Sequence, residues 1–454
     1  MRKVSIKDIA RGQINMFIEE RLAKWVDSYE RNGYLHGSIL VASHGNILLN
    51  KGFGMANWEH KVPNKPTTKF RIGSLTKAFT ALGIFQLHEK GKLSINDYLD
   101  KYFPDFPHHN QITIFHCLTN TSGIPNYTSF PDFWFTTMRL PMTLQQVIDS
   151  FKNLELNFVP GSRFEYSNSG YALLTAIIEK VSGMSYGDYI LEKICRPLGM
   201  YQTGCDDGKK IVPDLASGYT FWEKPVHAAY ADLTSPLGAY GLYSTTEDLL
   251  LWDQALKSSQ LLNKELMEKM LTPNLQSYAC GWVVSEKMGR KCFHHYGDIS
   301  GYCSEFFRFV DDEITIIFLS NMNVTPVSHL TNEMAKLMFE EEASLPVPAV
   351  PINFTNKKGL EGKYFIEDDR NLLFDISIKD GKLYLTMSKM YGVLYKFKLL
   401  PVFSELTKTI FMTEMINEML IFHTSVTGEI EYVEYTDYYG NKYNLIKGNS
   451  IDLK

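Results

Sequence analysis

Long apolar runs are missing from this chain of 454 residues. No stretch reaches the roughly 18 consecutive apolar residues of a membrane-spanning helix, so no span is expected. A surplus of one charge is missing too: 46 Lys and Arg stand against 51 Asp and Glu, a formal net charge of -5, which leaves no basic field for nucleic acid or anionic lipid. Cysteine is scarce. The six cysteines, 117, 195, 205, 280, 292 and 303, form no Cys-x-x-Cys pair, which excludes a disulfide frame and a zinc ribbon and reads as reduced core thiols of a cytoplasmic protein. The stretch Met1–Arg11 interrupts its apolar residues with charges every two or three positions and builds no apolar core of an export signal. Internal repeats and low-complexity tracts are absent as well.

What remains is ordinary globular material, 44% apolar and 13% aromatic, in a chain too long for one core, so two domains are expected. Apolar side chains at Ile14, Ile18, Leu22, Trp25 and Tyr29 share one helical face that ends at Asn32-Gly33. Strands at 37–43 and 47–50 flank His44-Gly45-Asn46, the chemistry of a hairpin turn. The helical period then predicts helices near 113–119, 143–151, 170–182, 186–195 and 246–256, and alternation returns with strands at 281–285, 291–296, 303–310 and 313–320 before a helix at 327–341. Leu345-Pro346-Val347-Pro348-Ala349-Val350-Pro351 is a stiff linker, which divides the chain into domains 1–343 and 357–454 joined by residues 344–356. Beyond it, alternating runs from Leu373 to Ile446 predict a small antiparallel β-barrel or sandwich of seven or eight strands.

Chemistry concentrates at Phe70-Arg71-Ile72-Gly73-Ser74-Leu75-Thr76-Lys77. Apolar residues at Leu75, Ala78, Phe79, Leu82 and Phe85 make a helix that Ser74 opens, with Lys77 one turn on and able to reach back to the serine hydroxyl. A packed lysine stem desolvates the amine and lowers its pKa toward that of a base, and backbone N–H groups at the helix start suit an oxyanion. Ser-x-x-Lys is weak evidence alone, although this chain contains it once. Tyr166-Ser167-Asn168 lies in a predicted loop between Pro160-Gly161 and a helix starting near Gly170; its phenol could relay a proton and its amide could hold a substrate amide. Tyr439-Gly440-Asn441 matches the same pattern and reads as a structural turn. His295-Tyr296-Gly297 ends a predicted strand, followed by Asp298. A small residue on a strand edge admits a substrate backbone, and the Asp298 N–H would complete an oxyanion hole with that of Ser74. The bland reading of His294 and His295 is two faces of a strand end; no third ligand at metal spacing joins them, so no metal or organic cofactor is expected.

The order of these motifs resembles the serine β-lactamase and penicillin-binding-protein family, in its class C β-lactamase, DD-peptidase and esterase branch. The connecting text resembles that family's framework too: Ile112-Thr113-Ile114, Leu118-Thr119-Asn120-Thr121-Ser122-Gly123-Ile124-Pro125, Phe158-Val159-Pro160-Gly161, Pro197-Leu198-Gly199-Met200 and Gly241-Leu242-Tyr243-Ser244-Thr245-Thr246-Glu247-Asp248-Leu249. The resemblance covers about residues 35 to 340 and implies a mixed α/β (α+β) fold, an antiparallel sheet flanked by helices with a helical lobe, here followed by a barrel similar in architecture to lipocalin-like domains.

By that resemblance Ser74 is the acylated nucleophile, Lys77 and Tyr166 share acid and base duty, Asn168 and Gly297 meet substrate, and His295 replaces a lysine as a weaker carboxylate anchor. Asp298 stands where a small residue is usual, which disfavours anionic substrates and favours an amine. Asn120 stands where a histidine is common, a framework change. The implied activity is a serine hydrolase acting on a small molecule or short peptide through an ester, amide or peptide bond. Acyl transfer or peptide cyclisation shares its first half-reaction, and a ligand sensor without turnover is the alternative from another class. Selecting substrates, supporting the fold and forming a homo-oligomer are the open roles of the barrel.

Overall fold

The computed structural model describes residues 6–107, 110–355, 357, 359–366, 369–389 and 392–448. Met1–Ser5 of the N-terminal stretch and residues 449–454 at the expected end of the second domain lie outside the described residues. The chain forms two compact units, each discontinuous in sequence: one comprises 37–218 and 229–321, the other 1–36, 219–228 and 322–454. The linear division at 343 and 357 thus differs from the packing, since the first helix, the helix Val327–Met338 and a short hairpin group with the C-terminal strands.

The first unit is built on a six-stranded antiparallel sheet in the order Val283–Lys287, Arg290–Ile299, Tyr302–Phe309, Ile314–Ser320, Gly37–Ser43 and Asn46–Phe53. His44 and Gly45 both take left-handed φ, 51° and 77°, as a two-residue hairpin turn between right-twisted strands requires. Three of these strands, Gly37–Ser43, Tyr302–Phe309 and Ile314–Ser320, are buried along their whole length, which is why they read as near-continuous apolar runs. The charged exceptions within them are Glu305 and Arg308. Arg308 Nε donates to Asp253 at 2.7 Å from the helix Thr246–Ala255, so the buried guanidinium is paired.

The helix Thr76–Glu89 lies at the centre of this unit, with every residue from Thr76 to Leu87 buried. A helix covered all round has no solvent face, so Lys77 is enclosed and not merely flanked by apolar neighbours. Phe79 stacks on Trp252 with ring centroids 4.1 Å apart, and the helix Asn168–Ser182 packs beside it. Helices at Ile114–Leu118, Leu144–Phe151 and Tyr186–Ile190 fall where the period placed them, the last continuing through a wider π turn at Leu191–Cys195. The helix Lys264–Leu271 lies outside the helices expected above; an Asn263 cap starts it, and Leu266, Met267, Met270 and Leu271 form the face that packs on the core.

The second unit contains a closed eight-stranded antiparallel barrel: Gly362–Ile366, Asp369–Lys379, Lys382–Ser388, Leu394–Ser404, Lys408–Thr413, Met419–Thr424, Ile430–Thr436 and Lys442–Lys447. Its interior is packed with Phe374, Leu385, Phe397, Phe411, Phe422 and Leu445. The turn at Tyr439-Gly440-Asn441 joins the last two strands, with Gly440 at φ 87°. The hairpin Tyr219–Phe221 and Pro225–His227 rests on this barrel: Phe221 stacks on Phe397 at 5.7 Å, and the Glu223 carboxylate accepts from Lys379 and Lys396 at 2.6 and 2.7 Å. Among the described residues no helix is long and apolar enough to cross a membrane.

Candidate active site

Ser74 sits in a single 3-10 turn, Gly73–Leu75, that runs directly into the buried helix. The strand Phe70–Arg71 pairs with Leu242–Ser244, and the Ile72 N–H donates to Leu242 O at 3.0 Å, which fixes the approach to the turn. On the other side the Ser304 hydroxyl donates to Ile72 O at 2.9 Å. Gly73 takes φ 54°, and a Cβ there would stand 2.4 Å from the Asp298 nitrogen, so both its conformation and its closeness to the sheet demand glycine.

Three groups surround the Lys77 amine. Its Nζ lies 3.0 Å from Ser74 Oγ, 2.7 Å from Asn168 Oδ1 and 2.7 Å from the carbonyl of Ala239. Burial drives its pKa well below the ordinary lysine value, partly opposed by the Asp298 carboxylate. The amide oxygen and the carbonyl can only accept, so they take two N–H bonds; in the neutral amine the remaining lone pair faces the serine hydroxyl. Ala239 reaches this position because Gly238 O accepts from Thr80 of the central helix at 2.7 Å.

The Tyr166 hydroxyl donates to Ser74 Oγ at 2.8 Å, with Lys77 Nζ 4.7 Å from the centre of its ring. Ser74 Oγ is therefore held between an amine and a phenol. Asn168 is not in a loop: it is the first residue of the helix Asn168–Ser182. The first turn takes its partners from a neighbouring loop, since Asn168 N–H donates to Asn126 Oδ1 at 3.0 Å and Asn168 Nδ2 to Thr128 Oγ1 at 2.9 Å.

Asn120 has more to do than the sequence suggested. It adopts left-handed φ, 53°, and grips the chain on both sides of Tyr166: its carbonyl accepts from Glu165 N–H at 2.9 Å and its side-chain oxygen from Ser167 N–H at 3.1 Å. Tolerance of that backbone region is the local signal for asparagine here.

The strand carrying His295, Gly297 and Asp298 continues to Ile299, beyond the end expected at Gly297, because Tyr302–Phe309 pairs with it through Ile299↔Tyr302. The edge strand Val283–Lys287 pairs with it only as far as Val283↔His294. From His295 onward that edge has no strand partner among the described residues, which is where an extended backbone can align. A Cβ on Gly297 would stand 2.2 Å from Ile72 O and 2.9 Å from Ser74 N, so the Ser74 turn and the strand meet at van der Waals distance through a glycine.

His295 differs from the weak cation expected at this position. The ring is buried; Nδ1 lies 2.5 Å from the Tyr296 carbonyl and Nε2 3.2 Å from the Tyr278 hydroxyl. A carbonyl only accepts, so Nδ1 carries the proton and Nε2 receives the Tyr278 O–H. Burial first, then the nearby Lys77 and His294 charges, push its pKa down to about 3, outweighing the bond to Tyr296. Tyr278, which no motif announces, packs edge-on against both His295 and Tyr166, at 5.9 and 6.2 Å. Asp298 is half-buried; desolvation raises its pKa to about 6 against the opposing charge of Lys77. Ser74, Lys77, Tyr166, Asn168, His295, Gly297 and Asp298 thus converge within one unit.

Known proteins resemble this chain in sequence and in fold. Residues 18–338 match the family model described as Beta-lactamase. Penicillin-binding protein 4* of Bacillus subtilis (strain 168) is 34% identical over 310 residues, 63% of this chain and 68% of that protein. The octameric penicillin-binding protein homologue from Pyrococcus abyssi superposes with a TM-score of 0.64 at 27% identity, covering 96% of this chain and 99% of that one. The D-amino acid amidase of Ochrobactrum anthropi SV3 shares the fold, with a TM-score of 0.59 at 23% identity over 73% of this chain and 97% of its own. By its family match, its relatives and its fold, this chain belongs to the β-lactamase family of penicillin-binding-protein homologues.

Proposed function

We propose that the chain is a serine hydrolase that forms an acyl-enzyme on Ser74 with a small ester, amide or short peptide. The observation that carries this reading is Ser74 Oγ held 3.0 Å from the Lys77 amine and 2.8 Å from the Tyr166 hydroxyl. The neutral amine takes the serine proton as the Oγ–carbon bond forms. Charge on the carbonyl oxygen is met by the backbone N–H groups of Ser74 and Asp298. The bond to the leaving group then breaks, Tyr166 gives that group its proton, and Lys77 returns one to Tyr166. Water repeats the cycle in reverse: it loses a proton to the same pair, releases the acid and restores the serine hydroxyl.

An amine in place of water would give acyl transfer or cyclisation, and the open edge beyond His294 favours a peptide donor for either outcome. The name of the Bacillus subtilis relative makes a β-lactam the natural first probe. The octameric Pyrococcus abyssi homologue supports self-association of this chain. Intact-mass analysis of the full chain with an activated ester, a D-amino peptide and a penicillin tests the reading. A transient adduct on wild type and none on Ser74→Ala is expected. A permanent adduct points instead to a ligand sensor, and no adduct with any probe removes the acyl-enzyme.

A further inference from the structure

We infer that the preferred acyl donor carries an ammonium group beside its scissile carbonyl, received by the Asp298 carboxylate, and not a carboxylate received by a cation at position 295. The inference rests on the acyl-enzyme reading and names the substrate class of that same site.

Two independent features of one strand carry it. The first is the loss of a cation. Both ring nitrogens of His295 are engaged inside the protein, Nδ1 by the Tyr296 carbonyl and Nε2 by Tyr278, so the ring has no free donor to offer a ligand anion. Protonating it would place a charge in a buried site, at a cost that its neighbours do not offset. Lys77 cannot substitute, because it is fully buried and its amine is engaged by Ser74, Asn168 and Ala239.

The second is the gain of an anion. Asp298 follows Gly297 at the point where the strand touches the Ser74 turn, with its nitrogen 2.4 Å from where a Gly73 Cβ would lie. Its carboxylate has no hydrogen-bond or ion-pair partner among the described residues. The titratable groups facing it are Lys77 from the central helix, Tyr240 from the turn Leu237–Tyr240 and Cys303 from the adjacent strand. Only Lys77 among them can be cationic, and burial favours its neutral form. A half-buried carboxylate without a partner is costly to keep charged, and an incoming ammonium removes that cost while a second carboxylate raises it.

The test uses the full chain and three matched thioesters: alanyl benzyl thioester with a free amine, its N-acetyl form and its N-succinyl form, each in both enantiomers. Wild type should show kcat/KM at least about tenfold higher for the free amine than for the N-acetyl ester, the scale of a charge-assisted hydrogen bond, with the succinyl ester slowest. Asp298→Asn should bring the ratio close to one. In wild type alone, the preference should fade as pH falls through about 6, where Asp298 gains a proton. Equal acylation of Ser74 by all three esters in wild type overturns the ammonium preference and leaves the acyl-enzyme standing. Retention of the preference in Asp298→Asn overturns the role of Asp298. Absence of a Ser74 adduct with every ester removes the acyl-enzyme and this inference with it.

Discussion

A Cβ added to Gly297 would lie 2.9 Å from the backbone nitrogen of Ser74. The nucleophile and the strand edge are thus set against each other with no space for a side chain, and Ile72 O stands closer still, at 2.2 Å. Backbone atoms on both sides leave little to relax. Gly297→Ala should destabilise the chain by about 1 to 3 kcal/mol, the usual cost of overpacking, and slow acylation of Ser74. Thermal melts and burst kinetics on the same preparation check both.

Removing the amine separates chemistry from stability. Lys77→Met should lower acylation by about a hundredfold or more, the scale of a lost general base. It should not lower the melting temperature in proportion, because burial works against the charged amine in the wild type. A rate unchanged in Lys77→Met would assign the base elsewhere.

Tyr166 gives a different signature. Without its hydroxyl, Ser74 Oγ loses the 2.8 Å partner placed to protonate a leaving group. Tyr166→Phe should therefore slow amides by about a hundredfold and activated esters much less, since a good leaving group departs without a proton. Equal losses on both substrates would argue against the relay.

Asn120 acts through Tyr166, which makes it a positioning residue. Asn120→Ala removes the acceptor for Ser167 N–H and places alanine at left-handed φ, whereas Asn120→Asp keeps the acceptor. The alanine variant should reproduce the amide-over-ester defect of Tyr166→Phe in milder form, and the aspartate should restore part of it. A uniform loss on amides and esters, without rescue, would mark a role in stability alone.

The pH profile of His295 follows from its two internal hydrogen bonds. With its pKa pushed down to about 3, the ring stays neutral across the working range, so in Asp298→Asn, where the carboxylate no longer titrates, kcat/KM for carboxylate-bearing substrates should not rise as pH falls through about 6.5. The same shift couples to stability. A histidine whose folded pKa lies below its unfolded value holds its full contribution above about 6.5 and loses it as pH falls toward about 3. His36, buried and pushed down to about 4, adds loss in the same window. Denaturation midpoints between pH 7 and 4 should fall in wild type and fall less in His295→Gln.

Local rules in the sequence were enough for the elements and the chemistry they carry. Helical period and alternation placed most helices of the first unit, though not Lys264–Leu271, and seven of the eight barrel strands, because one-sided burial imprints those periods; the strand Gly362–Ile366 left none, with only Tyr364 fully buried. The spacing of Ser74 and Lys77 is one helical turn, so their meeting needed no long-range information. What only the tertiary structure decided depends on groups far apart in the chain. Tyr278 occupies the free nitrogen of His295 and makes a residue read as a weak cation a neutral one. Asn120 braces Tyr166, and the Ala239 carbonyl, joined to Lys77 across more than a hundred residues, helps hold the amine. Protonation states belong in the same class: burial and the fields of residues distant in sequence set them, and no local pattern records either.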